Sequence, residues 1–336
     1  MKRFIGLIFG VAVVLGGLWL MPQSVEALTI SPIRVELAAD PGGEASGTFK
    51  LFNELTTTQT YYIKFVKFET KDETGEPAFV PGSDGLPSWV TAPSSVEVPP
   101  KEFLTVDFKI NVPRDVDPGG YFSGILATKN VPSAEEEGDI ALESQVGSLI
   151  LFRVNGAFTE GETILSFNTT KKKSMFSSLP VEFDYRFQNS GEDRVKPVGD
   201  ITIRNLFGFT SKVIDANRTG GSVLPRSIRR YTSAWVTSGG DRTEQNSTDV
   251  SYAPDDLSYF ETLKWQWNHF ALGRYTATLQ FTVNNDASRH YTEALSFWVI
   301  PWQLLITIIV VTVLVGGLLL GAAVIIALFI LKRTRS

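Results

Sequence analysis

The segment FLTVDFKINV, Phe103–Val112, alternates apolar and polar side chains without interruption. The apolar set is Leu104, Val106, Phe108, Ile110 and Val112, and the polar set between them is Thr105, Asp107, Lys109 and Asn111. A period of two places one set on a core and the other in water. The segment therefore predicts a β-strand that is covered on one face, ending before Pro113.

The same alternation recurs along the chain, most clearly in Val181–Gln188 and Tyr275–Val283. Turn signals such as Asp40-Pro41-Gly42-Gly43 separate the predicted strands. No stretch of this region has a helical period over a dozen residues. We therefore predict an all-β fold with two tandem immunoglobulin-like β-sandwiches, one over residues 28–160 and one over residues 161–300.

The first residues have the composition of an export signal. Lys2 and Arg3 precede the apolar run Phe4–Met21, and Val25-Glu26-Ala27 suits a signal peptidase. Residues 1–27 are therefore predicted to be a secretory signal peptide, and an uncleaved N-terminal anchor is the alternative. Either interpretation exports the region that follows.

A second apolar run, Gln303–Leu331, contains no charged residue. About 20 such residues cross the hydrocarbon core of a bilayer. The run predicts a transmembrane helix over residues 302–331 and a cytoplasmic tail over residues 332–336, because basic residues favour the cytoplasmic side. The predicted membrane-interface residues are Trp298, Trp302, Lys332 and Arg333. These features predict a single-pass type I protein of the cell membrane with an extracellular ectodomain.

Within the predicted span, Gly317 and Gly321 form a G-x-x-x-G motif. Two helices can approach closely at such a motif, so it indicates a possible homodimer through the span. The alternative is that these glycines reflect the ordinary glycine content of membrane helices.

Composition excludes several classes of function. Without the signal and tail, the chain has 26 Lys and Arg against 35 Asp and Glu, a formal charge near −9. An acidic ectodomain argues against nucleic acid as a partner. The sequence has no cysteine, which excludes disulfides and thiolate catalysis and fits a bacterial envelope.

The sequence shows no catalytic or metal-binding motif. Its two histidines, His269 and His290, are isolated from carboxylates at metal-ligand spacing. It lacks a nucleophile elbow, a P-loop and an H-E-x-x-H motif. We therefore predict no enzyme activity, no cofactor and no metal.

One long connection, Ser238–Asn268, interrupts the strand pattern of the second predicted domain. Aromatic residues in long loops on a rigid scaffold often form binding surfaces. The candidate partner-binding residues are Tyr252, Tyr259, Phe260, Trp265 and Trp267. The alternative is that Phe260, Trp265 and Trp267 cap the sandwich core or rest on the membrane interface.

Several turn and strand motifs resemble those of the WxL-interacting cell-surface proteins of Gram-positive-type bacteria. In the first domain they are Ile30-Ser31-Pro32, Asp40-Pro41-Gly42-Gly43 with the strand that ends at Asn53, and Asp117-Pro118-Gly119-Gly120-Tyr121. In the second they are Asn189-Ser190-Gly191, Gly199-Asp200-Ile201, Leu224-Pro225 and Gly273-Arg274-Tyr275. The resemblance implies a first domain that binds peptidoglycan and a second that binds another surface protein. The long connection departs from the compact family pattern.

The primary functional prediction is a non-catalytic, membrane-anchored surface protein. It would bind cell-wall polymer through its first domain, a partner surface protein through its second, or both. Two alternatives remain open at this point. One is a membrane-anchored hydrolase of wall glycans, and the other is a pilus-type assembly chaperone that acts by strand donation.

Overall fold

The computed structural model describes residues 28–80, 82–129, 146–236, 253, 256–284 and 286–334. The predicted signal peptide lies outside these residues. The described chain is mostly β-strand and ends in a long apolar helix, as predicted. It divides into two compact units, the first ending at Gly156 and the second beginning at Ala157, and the short segment Thr70–Ala78 belongs to the second unit.

The first ten strands form two sheets. They are β1 (Leu28–Ser31), β2 (Arg34–Ala39), β3 (Glu44–Asn53), β4 (Gln59–Lys71), β5 (Glu76–Val80), β6 (Val90–Thr91), β7 (Ser95–Val98), β8 (Phe103–Asn111), β9 (Gly119–Thr128) and β10 (Val146–Val154). One sheet has the order β1-β3-β8-β6 and the other the order β2-β10-β9-β4-β5, with β7 also paired to β4. A four-residue helix, α1 (Leu86–Trp89), precedes β6. This is the strand order of an immunoglobulin-like sandwich.

Strand β8 confirms the prediction made from Phe103–Val112. Val106, Phe108 and Ile110 are buried in the core between the two sheets, and the residues between them face solvent. The neighbouring strand β3 accommodates the Phe108 ring because Gly47 stands opposite it. A Cβ atom at Gly47 would lie 2.4 Å from Cζ of Phe108, so a larger residue there would displace the ring.

Residues 28–39, at the start of the described chain, form two strands that belong to different sheets. Strand β1 pairs antiparallel with β3, and β2 pairs parallel with β10. Pro32 and Ile33 lie between them. Their carbonyl oxygens accept hydrogen bonds from Ser148 Oγ (2.7 Å) and from the Leu149 amide (2.9 Å). The chain therefore crosses from one sheet to the other at this point.

The second unit repeats this plan with eight strands. They are β11 (Glu162–Thr169), β12 (Met175–Phe176), β13 (Val181–Asn189), β14 (Pro197–Asn205), β15 (Thr210–Asp215), β16 (Ser227–Trp235), β17 (Gly273–Val283) and β18 (Asp286–Val299). The sheet orders are β11-β13-β16 and β12-β18-β17-β14-β15. The short strand β12 pairs parallel with β18, as β2 does with β10.

The core of the second unit is rich in aromatic rings. Phe183, Tyr185 and Phe187, which alternate along β13, are fully buried. The Tyr185 ring stacks on Tyr231 with a centroid distance of 5.7 Å, and its hydroxyl donates to the carbonyl of Ala216. Burial raises the pKa of both tyrosines well above the ordinary value.

A buried asparagine occupies the same place in each unit. Asn53 ends β3 and Asn189 ends β13, and both are fully buried. Each side-chain oxygen accepts the backbone N–H two residues later, at 3.0 Å from Leu55 and 2.9 Å from Gly191. Each side-chain amide donates to the carbonyl four residues later, at 2.8 Å. The two turns are therefore built around one hydrogen-bonding device.

The described chain also contains two further helices, α2 (Tyr259–Asn268) and α3 (Trp302–Thr334). Helix α2 was not predicted, and it is an exception to the all-β architecture expected for residues 161–300. Its first turn is fixed by Glu261, whose carboxylate accepts the Ser258 N–H at 2.9 Å and the Ser258 hydroxyl at 2.5 Å. These bonds lower the pKa of Glu261, with the hydroxyl bond as the larger cause. The bond from the Ser258 N–H is one half of a capping box, whose other half is the bond from the Glu261 N–H to the Ser258 side chain, and this motif favours a helix start at this position.

Candidate functional site

The last strand of the second unit has an edge that is largely unpaired among the described residues. Strand β17 pairs along one side of β18. On the other side, the short strand β12 pairs only with Trp298 and Val299. The segment Thr292–Phe297, called here the open edge, has no strand partner on that side in the described part of the chain.

The direction of the backbone groups follows from the hydrogen bonds to β12. The amides of Trp298 and Ile300 donate to the carbonyls of Ser174 and Phe176, each at 2.8 Å. The register of β18 with β17 is regular from His290 to Val299. Because backbone groups alternate between the two neighbours of a strand, the N–H and C=O groups of Thr292, Ala294 and Ser296 point to the open side.

An ionic cluster joins β18 to residues at the start of β11 just before the open edge. Arg289 donates to Glu160 at 2.7 Å and also to Glu162, and the Tyr291 hydroxyl donates to Glu162 at 2.9 Å. The Glu162 side chain is only 3% exposed. Burial and the hydrogen bond to Glu162 raise the pKa of Tyr291. The cluster holds β11 beside β18 at Arg289 and Tyr291.

The open edge contains one partly buried apolar side chain, Leu295, which packs against the core of the second unit. Strand β11 also has an exposed apolar residue, Leu165, which is 40% exposed at the register shift of that strand. Glu293 is the one charged residue of the open edge. The edge therefore offers backbone donors and acceptors beside apolar surface, which suits an extended polypeptide.

The corresponding strand of the first unit is covered. Strand β2 pairs with six consecutive residues of β10, Leu149–Val154. Strand β2 is then the terminal strand of its sheet, but it is short and carries the ion pair Arg34–Glu36 (3.1 Å) on its exposed face. Charged, short edge strands resist pairing with other chains.

The structure places four of the five predicted partner-binding residues on α2. Tyr259, Phe260 and Trp267 are exposed, and Trp265 is half-buried with its ring stacked on His269 at 3.8 Å. The fifth, Tyr252, lies outside the described residues. None of the four belongs to β18, so the binding role predicted for them is separate from the open edge and stays a prediction.

The predicted membrane residues lie on or beside α3. Trp298 and Trp302 are about half exposed. Gly317 and Gly321 lie on the exposed helix, and Lys332 and Arg333 belong to its last turn, since α3 continues to Thr334. Residues Trp302–Leu328 are long and apolar enough to span a membrane. Pairing of two chains through the glycines stays a prediction.

The described residues contain no group of three or more His, Asp and Glu side chains that could hold a metal ion. The carboxylates of Glu160 and Glu162, which come close in space, are engaged by Arg289. His269 Nδ1 lies 3.0 Å from the carbonyl of Trp265, and His290 is exposed on β18.

Sequence reasoning missed the open edge and the docking of α2 on α3. The carbonyl oxygen of the Gln266 side chain accepts the Leu304 amide at 3.0 Å, and its NH2 group donates to Gln303. Gln266 is fully buried by this contact. The only sequence signal for α2 was the spacing of Ser258 and Glu261.

No protein-family model matches the sequence, and a search of curated proteins finds no match. Among solved structures, the chain is similar to the class 5 fimbriae chaperone CfaA, with 12% identity and a TM-score of 0.38 over 80% of this chain and 98% of that chain. It is also similar to a chain of the CsuC–CsuE chaperone–tip subunit complex of Acinetobacter baumannii, with 10% identity and a TM-score of 0.35 over 81% and 98%. A PapD-like domain of human CEP192 matches 41% of this chain and 94% of its own length, with 13% identity and a TM-score of 0.27.

The primary functional prediction, a surface protein that binds cell-wall polymer, is contradicted by this comparison, which finds pilus-assembly chaperones. Since the TM-scores lie below 0.4, these similarities assign no function by themselves. The function is therefore argued from the geometry of the chain.

Proposed function

We propose that this protein is a non-catalytic, membrane-anchored, chaperone-like protein that binds an extended segment of another exported protein. The segment would pair with Thr292–Phe297 as an added strand. The single observation that carries this proposal is the long unpaired side of β18, where β12 covers only Trp298 and Val299.

The physical basis is strand addition. Thr292, Ala294 and Ser296 each offer one N–H and one C=O group to an incoming strand. A net gain of about 0.5–1.5 kcal/mol per hydrogen bond gives modest affinity from the backbone alone. Contacts of the partner with Leu295 would add apolar burial, and they would favour client sequences with an apolar residue at that position. Such binding suits transient holding of a client.

Anchoring and orientation belong to the same proposal. Helix α3 is long enough to span a membrane, and the basic residues Lys332, Arg333 and Arg335 favour a cytoplasmic C-terminus. The two sandwiches would then lie outside the cell. The WxL-interacting cell-surface proteins remain our candidate family on the turn and strand motifs alone.

A photo-cross-linking experiment tests strand addition. A benzophenone amino acid would replace Thr292 in the full chain, expressed in the cell that makes it. The matched control position is Gln280, which is exposed on β17 directly opposite Thr292 but paired on both sides. We expect an adduct with a second exported polypeptide at Thr292 and not at Gln280.

A backbone variant then separates edge pairing from contact with the sheet face. Ala294→Pro removes an N–H that no described strand uses, so the sandwich should tolerate it while the adduct is lost. Ala294→Val keeps the N–H and should keep the adduct. Equal adducts at Thr292 and Gln280, or an adduct that survives Ala294→Pro, would refute strand addition.

A further inference from the structure

One end of the second unit carries exposed apolar side chains that the open edge does not use. The tip of the β14–β15 hairpin presents Leu206, Phe207 and Phe209, which are 65%, 80% and 71% exposed. Three large apolar residues on one turn form a contiguous surface of a kind that usually has a partner.

The strand register places this tip where the chain leaves for α3. Asn205, the last residue of β14, pairs with Tyr275 of β17, and Tyr275 pairs with Phe297 of β18. The residues after Asn205 therefore lie at the end of the sheet where Gly273 pairs with Val299. Helix α3 begins there, three residues beyond Val299.

Helix α2 lies at the same end, because β17 follows it within five residues. It is fastened along the start of α3. Gln266 accepts the Leu304 amide, a donor of the first helical turn that has no acceptor within its own helix. The Tyr259 hydroxyl bonds Thr307 Oγ1 at 2.6 Å. Helix α2 therefore runs beside the first two turns of α3.

The outer face of α2 has the pattern of an interfacial helix. Phe260, Lys264 and Trp267 follow each other at spacings of four and three, so they share one face. Phe260 and Trp267 are 80% and 68% exposed. Aromatic rings beside a lysine suit the boundary between headgroups and acyl chains, where the ring is buried and the ammonium reaches water.

We propose that this apolar end, defined by Leu206, Phe207, Phe209, Phe260, Trp267 and Trp302, lies in the headgroup layer of the bilayer that α3 spans. The 27 residues Trp302–Leu328 rise about 40 Å as a helix, against about 30 Å for the hydrocarbon core. This excess length allows the first turns of α3, which contact α2, to lie in the interface. The proposal rests on α3 spanning a membrane and is independent of strand addition.

The cysteine-free sequence permits single-cysteine labelling of the full chain. Phe207→Cys and Phe260→Cys would carry an environment-sensitive NBD label in phosphatidylcholine–phosphatidylglycerol vesicles, measured once with a shallow and once with a deep nitroxide-lipid quencher. Val315→Cys, in the middle of α3, is the positive control. Val198→Cys is the matched negative control, since Val198 is an exposed apolar residue of β14, seven residues from Asn205 and about 23 Å along the strand.

We expect the shallow quencher to reduce the emission at positions 207 and 260, the deep quencher to reduce that at 315, and neither to change that at 198. Water-like, unquenched emission at 207 and 260 beside quenching at 315 would overturn the proposal. A label at 207 that is shielded from water but not quenched by lipid would indicate a protein partner and also overturn it. Absence of quenching at 315 by the deep quencher would remove the premise that α3 spans. Unchanged far-ultraviolet circular dichroism would confirm that the labelled variants fold.

Discussion

The two sandwiches share a strand order and differ in how their last strand is covered. Strand β2 pairs with six residues of β10 in the first unit, whereas β12 pairs with only two residues of β18 in the second. The difference arises from the crossing segment. In the first unit two residues separate β1 from β2, and in the second the chain makes a 3₁₀ turn, Thr170–Lys172, before it reaches β12. Because this connection is longer in the second unit, β12 pairs only with the end of β18, and the middle of β18 has no strand partner on that side among the described residues.

The units also differ in the connection that leads into their last hairpin, which is β9–β10 in the first unit and β17–β18 in the second. Residues 112–118 join β8 to β9 in the first unit, whereas residues 236–272 join β16 to β17 in the second and include α2. Both differences fall in the second unit, which also contains the apolar helix α3. The comparison indicates that the first unit keeps the plain sandwich, while the second carries the features that we assign to binding and anchoring.

The largest expected difference between the two units is in the rate of amide hydrogen exchange on β10 and on β18. The amides of Leu149, Leu151 and Phe152 lie in a strand paired on both sides, so they should exchange only through opening of the sandwich. Those of Thr292, Ala294 and Ser296 should exchange about a thousandfold faster or more, because they point to the open side. Exchange measured by nuclear magnetic resonance on the full chain in nanodiscs, without a partner, checks this difference.

Equal protection on β10 and β18 would contradict the contrast. It would mean that another part of the chain already covers the open edge. The central strand β17 provides the internal control, because its amides should be protected in either case.

The second prediction concerns Asn53 and Asn189, whose replacement should destabilise the two units to a similar extent. Asn53→Ala removes the side-chain bonds to the buried carbonyl of Val98 (3.0 Å) and to the partly exposed carbonyl of Thr57 (2.8 Å). Asn189→Ala removes the bond to the buried carbonyl of Asp193 (2.8 Å), whereas the Val223 carbonyl keeps the amide of Val195 as a donor at 3.0 Å. Each change should reduce the free energy of unfolding of its own unit by about 1–3 kcal/mol, which is the cost of one buried group left without its partner.

Urea titration followed by the amide signals of β3 and β13 measures the two effects separately. The control is Asn111→Ala, because Asn111 is exposed and its single side-chain bond, to Thr91, is 3.3 Å long. A change of less than about 0.5 kcal/mol is expected there. If Asn53→Ala or Asn189→Ala were as mild as the control, the two turns would not depend on the buried amide.

The features that were predicted from the sequence are those that a local pattern of apolar and polar residues determines. The alternation in Phe103–Val112 and in Val181–Gln188 identified central strands, because burial on one face imposes a period of two. The split at Pro32 was not predictable in this way, since both halves are extended and only their distant partners differ. The equivalence of Asn53 and Asn189 was hidden because the residues that follow them, Glu-Leu and Ser-Gly, are unlike.

The candidate site was less predictable than the fold. The open edge depends on where β12 pairs, which is a long-range property that no local pattern reports. Helix α2 was missed because it is only ten residues long and has aromatic residues on several sides, so its sequence shows no clear apolar face. Isolated helices of ten residues are marginal in water, so its docking through Gln266 decides its existence.

The smallest expected effect concerns the start of α2, which has no counterpart in the first unit. The two bonds from Ser258 lower the pKa of Glu261, so its carboxylate stabilises the helix start above the ordinary pKa of about 4.3, and this stabilisation is lost as the pH falls through the lowered folded value. We expect the Cα chemical shifts of Tyr259 and Phe260 to move toward coil values in acid. Glu261→Gln retains an acceptor without the charge and should flatten this pH dependence, whereas Glu261→Ala should weaken the first turn at every pH. If Glu261→Gln followed the wild-type pH profile, another group would be responsible, and the capping box would not control where α2 begins.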